Sequence, residues 1–258
     1  MFNRGIVKMK KFFKDNWKFL LIVLLGGLIG GYCTGLYGYD SLSPELLKQL
    51  QNQNVSKEMV VLSSMVQYGL VFGVILASIG IVLSKKIKLW KKFKINKHAI
   101  IITVIITVIA ALVLFPGDKL IFGSMNSWVM EQYTTKPTLY KMIGGLLVGG
   151  IIEEVMMRLF FMSLVVFIIS KILKKKEIPT LVFIIANILA ALLFAAGHLP
   201  STATMTTITP LIIIRCFLFN GGLGIAFGYL YRKYNIGYAM ISHGLSHLIS
   251  DILMLIFI

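Results

Sequence analysis

Long apolar stretches separated by short basic runs set the plan of this chain. A membrane-spanning helix needs about 20 mainly apolar residues. Seven stretches meet that need: 19–36, 60–83, 98–115, 139–170, 178–197, 211–231 and 236–258. The fourth is 32 residues long, and at about 1.5 Å per residue it exceeds a bilayer core. It predicts a strong tilt, an extension into water, or a break at Gly144, Gly145, Gly149 and Gly150.

The polar intervals orient the stack. Arg4, Lys8, Lys10, Lys11, Lys14 and Lys18 precede the first span, and Lys85, Lys86, Lys88, Lys91, Lys92, Lys94 and Lys97 follow the second. Lys171, Lys174, Lys175, Lys176, Arg232 and Lys233 fall on the same side, making nineteen cations. The other side receives five, Lys48, Lys57, Lys119, Lys136 and Lys141. This bias predicts a cytoplasmic N-terminus and an outer C-terminus. The longest loops, 37–59 and 116–138, are polar, mixed in charge and expected outside. The N-terminal segment reads as an uncleaved first span. No A-x-A-like site follows it, and Tyr32 rather than a small residue precedes Cys33.

Composition narrows the class. Hydrophobic residues make up 57% and charged residues 14%, against about 45–50% and about 25% in soluble domains. Disorder, a nucleic-acid-binding domain and an ordinary soluble enzyme are thereby excluded. The net charge of +16 lies in runs between spans, as topology requires, and predicts no nucleic-acid partner. Cys33 and Cys216 both sit in apolar stretches, which predicts inert thiols and no disulfide framework. There is no internal repeat, low-complexity tract or soluble domain. The fold class is all-α: a polytopic helical membrane protein of one domain, 1–258, with a core at 139–258 and peripheral N-terminal spans at 1–138.

Ionisable groups inside spans are expensive, and each is a functional hypothesis. They are Glu153, Glu154, Arg158, Arg215, His243, His247 and Asp251, with His198 at a span end. Glu154 and Arg158 are i,i+4 and share a helix face. Glu153 points about 100° away, so one carboxylate is neutralised and the other is free for chemistry. The competing account is a buried polar clamp for helix packing. Phe194-Ala-Ala-Gly-His198 offers an imidazole beside small residues that also permit close helix packing. His243, His247 and Asp251, at i, i+4 and i+8, lie along one face. The two imidazoles suit a metal or a substrate oxygen, and Asp251 could accept the other ring N–H of His247. The alternative is an interhelical hydrogen-bonding face. Arg215 either snorkels or pairs with a buried acid. Together these groups suit water activation and hydrolysis of an amide in a membrane cavity, by a Glu–His pair with an oxyanion site or by an open zinc site.

Glu153–Arg158 as E-E-x-x-x-R, Phe194–His198 as F-x-x-x-H and the run ending at His243 resemble the CAAX protease and bacteriocin-processing family of intramembrane proteases. That family includes the eukaryotic CAAX prenyl endopeptidase and bacterial Abi-type proteins. The resemblance covers roughly 139–251. It implies that Glu153 and His198 activate water, Glu154 holds Arg158, and His243 and residue 247 form the oxyanion site. The approach GYLYRKYNIGYAMISH places the family's motif histidine at His243, with His247 where Asn is usual. The other register takes His247 and Asp251 as H-x-x-x-D. No cofactor is required on the glutamate-protease reading. If zinc is bound, its ligands would be Glu153, His198, His243 and His247. The resemblance implies a hydrophobic or membrane-anchored peptide or protein substrate, and a bilayer setting in a bacterial plasma membrane. The alternatives are a catalytically silent scaffold or bacteriocin self-immunity protein, and a proton-relay transporter, against which stands the lack of an inverted repeat.

One geometric conflict accompanies these expectations. On straight spans, His198 at its span end, Glu153 near mid-membrane and His243 early in the last span would not meet. Either the boundaries of the fifth span are shifted, or 198–210 re-enters against protein.

Overall fold

The structure, a computed structural model, describes residues 2–174 and 177–258, with the backbone alone at residues 2–6 and 8. Of the basic residues counted above, Lys175, Lys176 and the side chains of Arg4 and Lys8 lie outside the described residues. Among the described residues there are helices and no strands. Seven helices are long and apolar enough to cross a membrane. They are α1 (Phe2–Asp40), α3 (Lys57–Lys86), α4 (Lys97–Gly123), α6 (Leu139–Leu173), α7 (Thr180–Ala203), α8 (Pro210–Lys233) and α9 (Ile236–Phe257). Two short helices, α2 (Pro44–Asn52) and α5 (Ser127–Glu131), occupy the two longest connections.

Local chemistry sets where the helices begin. Ser56, Asn96, Thr138, Thr209 and Asn235 sit in extended backbone, and each side chain accepts a hydrogen bond from an N–H of the first turn. These are side-chain caps on otherwise orphan donors. Pro210 occupies the first position of α8, where its missing N–H does no harm. Lys174, at φ 49°, turns the chain out of α6 in the left-handed conformation.

Two expected span ends are corrected, and one of the three alternatives for the fourth span is removed. The third span does not stop at 115: α4 runs through Pro116 to Gly123, its turns widened to a π-type pattern around the proline. A widened turn accommodates a residue with no N–H to give. The fifth span does not stop at 197 but continues through Pro200 to Ala203. The fourth span does not break at its glycines. α6 is continuous, and its hydrogen bonding shifts to π-type turns from Gly145 to Glu153 and again from Val155 to Met162. Such irregular turns collect at functional sites.

α6 is the hub and packs against α1, α3, α7, α8 and α9. Its core-facing residues Ile152, Val155, Leu159 and Met162 are fully buried. In lipid, apolar burial between helices drives little, and close van der Waals packing substitutes for it. The α6–α9 seam shows this: a Cβ on Gly150 would stand 2.6 Å from Gly244 Cα, so the two backbones touch.

Candidate active site

The late end of α7 resolves the geometric conflict. His198 lies within the helix, one turn beyond Phe194, and no re-entrant segment is needed. Glu153 from α6, His198 from α7, and His243 and His247 from α9 line one cavity of about 420 Å³. Thr34 of α1, Tyr68 of α3 and Leu114 of α4 line it too, so N-terminal spans form part of its wall.

α6 supplies the floor. Gly145, Gly149 and Glu153 are spaced by four and lie along the cavity. A Cβ on Gly149 would stand 3.0 Å from the His247 ring, and one on Gly145 would stand 3.2 Å from His247 Cβ. Two of the glycines offered above as one possible breaking point, Gly145 and Gly149, are the surface against which His247 rests.

The polar chain starts in the core. Arg158 and Glu154, at most 1% exposed, form an ion pair at 3.0 Å. Arg158 Nη2 donates to the Gly224 carbonyl at 3.0 Å. Its guanidinium lies over the rings of Phe194 and Phe227, 4.9 and 5.7 Å from their centroids. The second Glu154 oxygen and Arg158 Nε have no partner. An incompletely satisfied buried pair adds little stability over apolar packing, so its value is in what it holds. Glu154 Oε1 lies 2.9 Å from His243 Nδ1. A paired carboxylate only accepts, so His243 carries its proton on Nδ1 and offers a lone pair at Nε2. His247 Nε2 donates to that lone pair at 3.2 Å. Phe227 stacks on the His243 ring at 4.5 Å and 18°.

The same reasoning fixes His198. Its Nδ1 lies 2.8 Å from the Phe194 carbonyl, which also only accepts. Nδ1 therefore holds the proton and Nε2 is a free acceptor. Glu153 stays 26% exposed, with one oxygen 3.8 Å from His243 Nε2. It is the cavity carboxylate without a buried counter-charge.

Asp251 does not meet His247. It pairs with Lys141 across α6 and α9 at 3.5 Å. Sequence reasoning missed Phe227 and Asp118. Phe227 carries no local signal of its role. Asp118 is buried on α4, where Arg215 binds both its oxygens and the Tyr133 hydroxyl donates to it. The buried acid that Arg215 called for was the available signal, and ending the third span at 115 hid it. Burial first and the Asp118 charge second hold the Tyr133 phenol well above its ordinary range.

Zinc asks for three or four ligands at about 2.0–2.2 Å. Among the described residues no three His, Cys, Asp or Glu side chains stand in such an arrangement. The two facing imidazole nitrogens are engaged with each other, and the cluster as arranged does not fit the ion.

Residues 135–249 match the family model of the Rce1-like, type II CAAX prenyl endopeptidases. The match covers a little less than half of the chain, its C-terminal spans. No curated protein and no solved structure matches the chain. The matched stretch runs from α6 into α9 and contains Glu153, His198, His243 and His247. The Lys141–Asp251 pair straddles its C-terminal limit.

Proposed function

We propose that this chain is an intramembrane endopeptidase that hydrolyses a peptide bond in a hydrophobic or membrane-anchored substrate without a metal. The observation that carries the reading is the meeting of an uncompensated carboxylate, Glu153, with three oriented imidazoles in one cavity among apolar helices.

Glu153 takes a proton from water as the water oxygen bonds to the substrate carbonyl carbon, with His198 Nε2 accepting from the same water. The carbonyl oxygen becomes an oxyanion. His247 Nε2–H, aimed at His243 in the free protein, turns to it as donor. His243 is a positioning residue on this reading. Its Nδ1–H is spent on Glu154, so it sets the tautomer and aim of His247 rather than donating itself. Glu153 then passes its proton to the leaving nitrogen, the C–N bond breaks, and an acid and an amine depart. The cation bias supports a cytoplasmic N-terminus.

The test is proteolysis of a panel of membrane-anchored peptides in liposomes, with and without chelator. Glu153→Gln and His198→Ala should each lose about 10²–10⁴-fold in rate, and chelator should leave the wild type unchanged. Chelator-sensitive cleavage would transfer these residues to a metal. A cellular phenotype that survives both substitutions would make the chain a scaffold.

A further inference from the structure

A second and larger groove, about 920 Å³, lies on another face of α6, between α1 and α9. Leu147 and Ile151 of α6 form its floor, and Ile241 and Leu245 of α9 line one wall. The Gly150–Gly244 backbone contact runs between this groove and the catalytic cavity. An apolar chain lying in the groove is thus separated from Glu153 by a closed helix seam, and it is not the substrate's reacting segment.

The rim is cationic. Lys14 and Lys18, one turn apart on α1, face Lys91 and Lys92 of the α3–α4 connection, and Asp15 is the lone carboxylate among the lining residues. Lys91 is tied down by donating to the carbonyls of Arg232 and Lys233 at 2.9 and 3.0 Å, which brings two more cations close. Burial, then those neighbours, push the Lys91 ammonium below its ordinary range. Trp17 and Trp90 line the same rim, the level at which indoles sit in a bilayer. A cationic mouth over an apolar trough between spanning helices matches a molecule with an anionic head and hydrocarbon tails.

We propose that this groove binds one anionic glycerophospholipid, with its phosphate on Lys14, Lys18 and Lys92 and its acyl chains along Leu147, Ile151, Ile241 and Leu245.

The test uses the full chain with Trp128→Phe, which leaves Trp17 and Trp90 as reporters. It is reconstituted in phosphatidylcholine vesicles containing a minor fraction of brominated phosphatidylglycerol, or the same fraction of brominated phosphatidylcholine. The anionic lipid should quench at several-fold lower mole fraction. Lys14→Gln/Lys18→Gln/Lys92→Gln should erase that preference, at roughly fivefold per lysine removed. Lys10→Gln/Lys11→Gln/Lys94→Gln, equal in charge but off the groove, should keep it. Ile241→Phe/Leu245→Phe should fill the trough and weaken quenching by both lipids. Equal quenching by the two lipids would overturn the proposal. So would equal losses in the two lysine variants, which would mean surface attraction alone. Reversal by inorganic phosphate would also overturn it, since the site would then take a soluble anion.

Discussion

Glu153 keeps a quarter of its side chain open to the cavity, while Glu154 is sealed between Arg158 and His243. Adjacent carboxylates thus divide the work, and substitution should separate them. Glu153→Gln removes a group with no buried partner, so proteolysis should be lost while thermal stability in detergent changes by less than about 0.5 kcal/mol. Glu154→Gln leaves Arg158 buried and uncompensated, and should destabilise the fold by about 3–5 kcal/mol. Equal stability losses would place Glu153 in the packing rather than in the chemistry. His247 allows a second test at this scale. If it acts as an oxyanion donor, His247→Asn keeps an N–H donor and much of the rate, whereas His247→Ala loses about 10²–10³-fold. A ligand role would instead make Asn as damaging as Ala. Most of these residues were legible because an ionisable group in a spanning helix has few other reasons to be there. What one strand of letters did not carry was direction. That His243 faces Glu154 and that Asp251 turns away to Lys141 depend on how α6 and α9 meet.

Helix α6 shapes the candidate site through what it omits. Gly149 gives His247 its place, and Gly150 lets α9 approach to backbone contact. The two glycines predict different failures. A Cβ on Gly149 meets a ring edge at 3.0 Å, and that ring can yield by a few tenths of an ångström. Gly149→Ala should therefore fold and lose activity, because a displacement of that size matters at a reacting centre. A Cβ on Gly150 meets backbone at 2.6 Å, so Gly150→Ala must part the helices, at about 1–3 kcal/mol. Thermal melts beside proteolysis rates distinguish the two; a stable, active Gly150→Ala would refute the seam. Spans and their starts were readable because apolar length and capping residues are local signals. The ends of α4 and α7 were not. The third and fifth expected spans end at 115 and 197, yet the turn around Pro116 widens, and the Ser201 and Thr202 hydroxyls tie the turn at Pro200 to the His198 carbonyl. Those six further residues of α7 are what bring His198 inside its helix.

Across the whole molecule, the buried Asp118–Arg215 pair ties α4, a span outside the matched stretch, to α8 within it. The partners are 97 residues apart in sequence, which is why only half of the pair was legible. Arg215 lines the same cavity as Glu153 and His198, so this clamp fixes one wall of the proposed site. Asp118→Asn would leave a largely buried guanidinium without its counter-charge and should destabilise the protein by about 3 kcal/mol. Arg215→Met in the Asp118→Leu background removes both charges together and should recover most of that loss, since replacing a buried pair by apolar groups is often neutral. Tyr133 would not be orphaned, because its hydroxyl also reaches the Leu114 carbonyl at 3.1 Å. Melting temperatures of the wild type and the two variants decide the matter. A double variant as unstable as the single one would mean that the pair is fixed by geometry around it rather than by charge, and that α4 and α8 depend on its particular hydrogen bonds to keep the cavity wall in place.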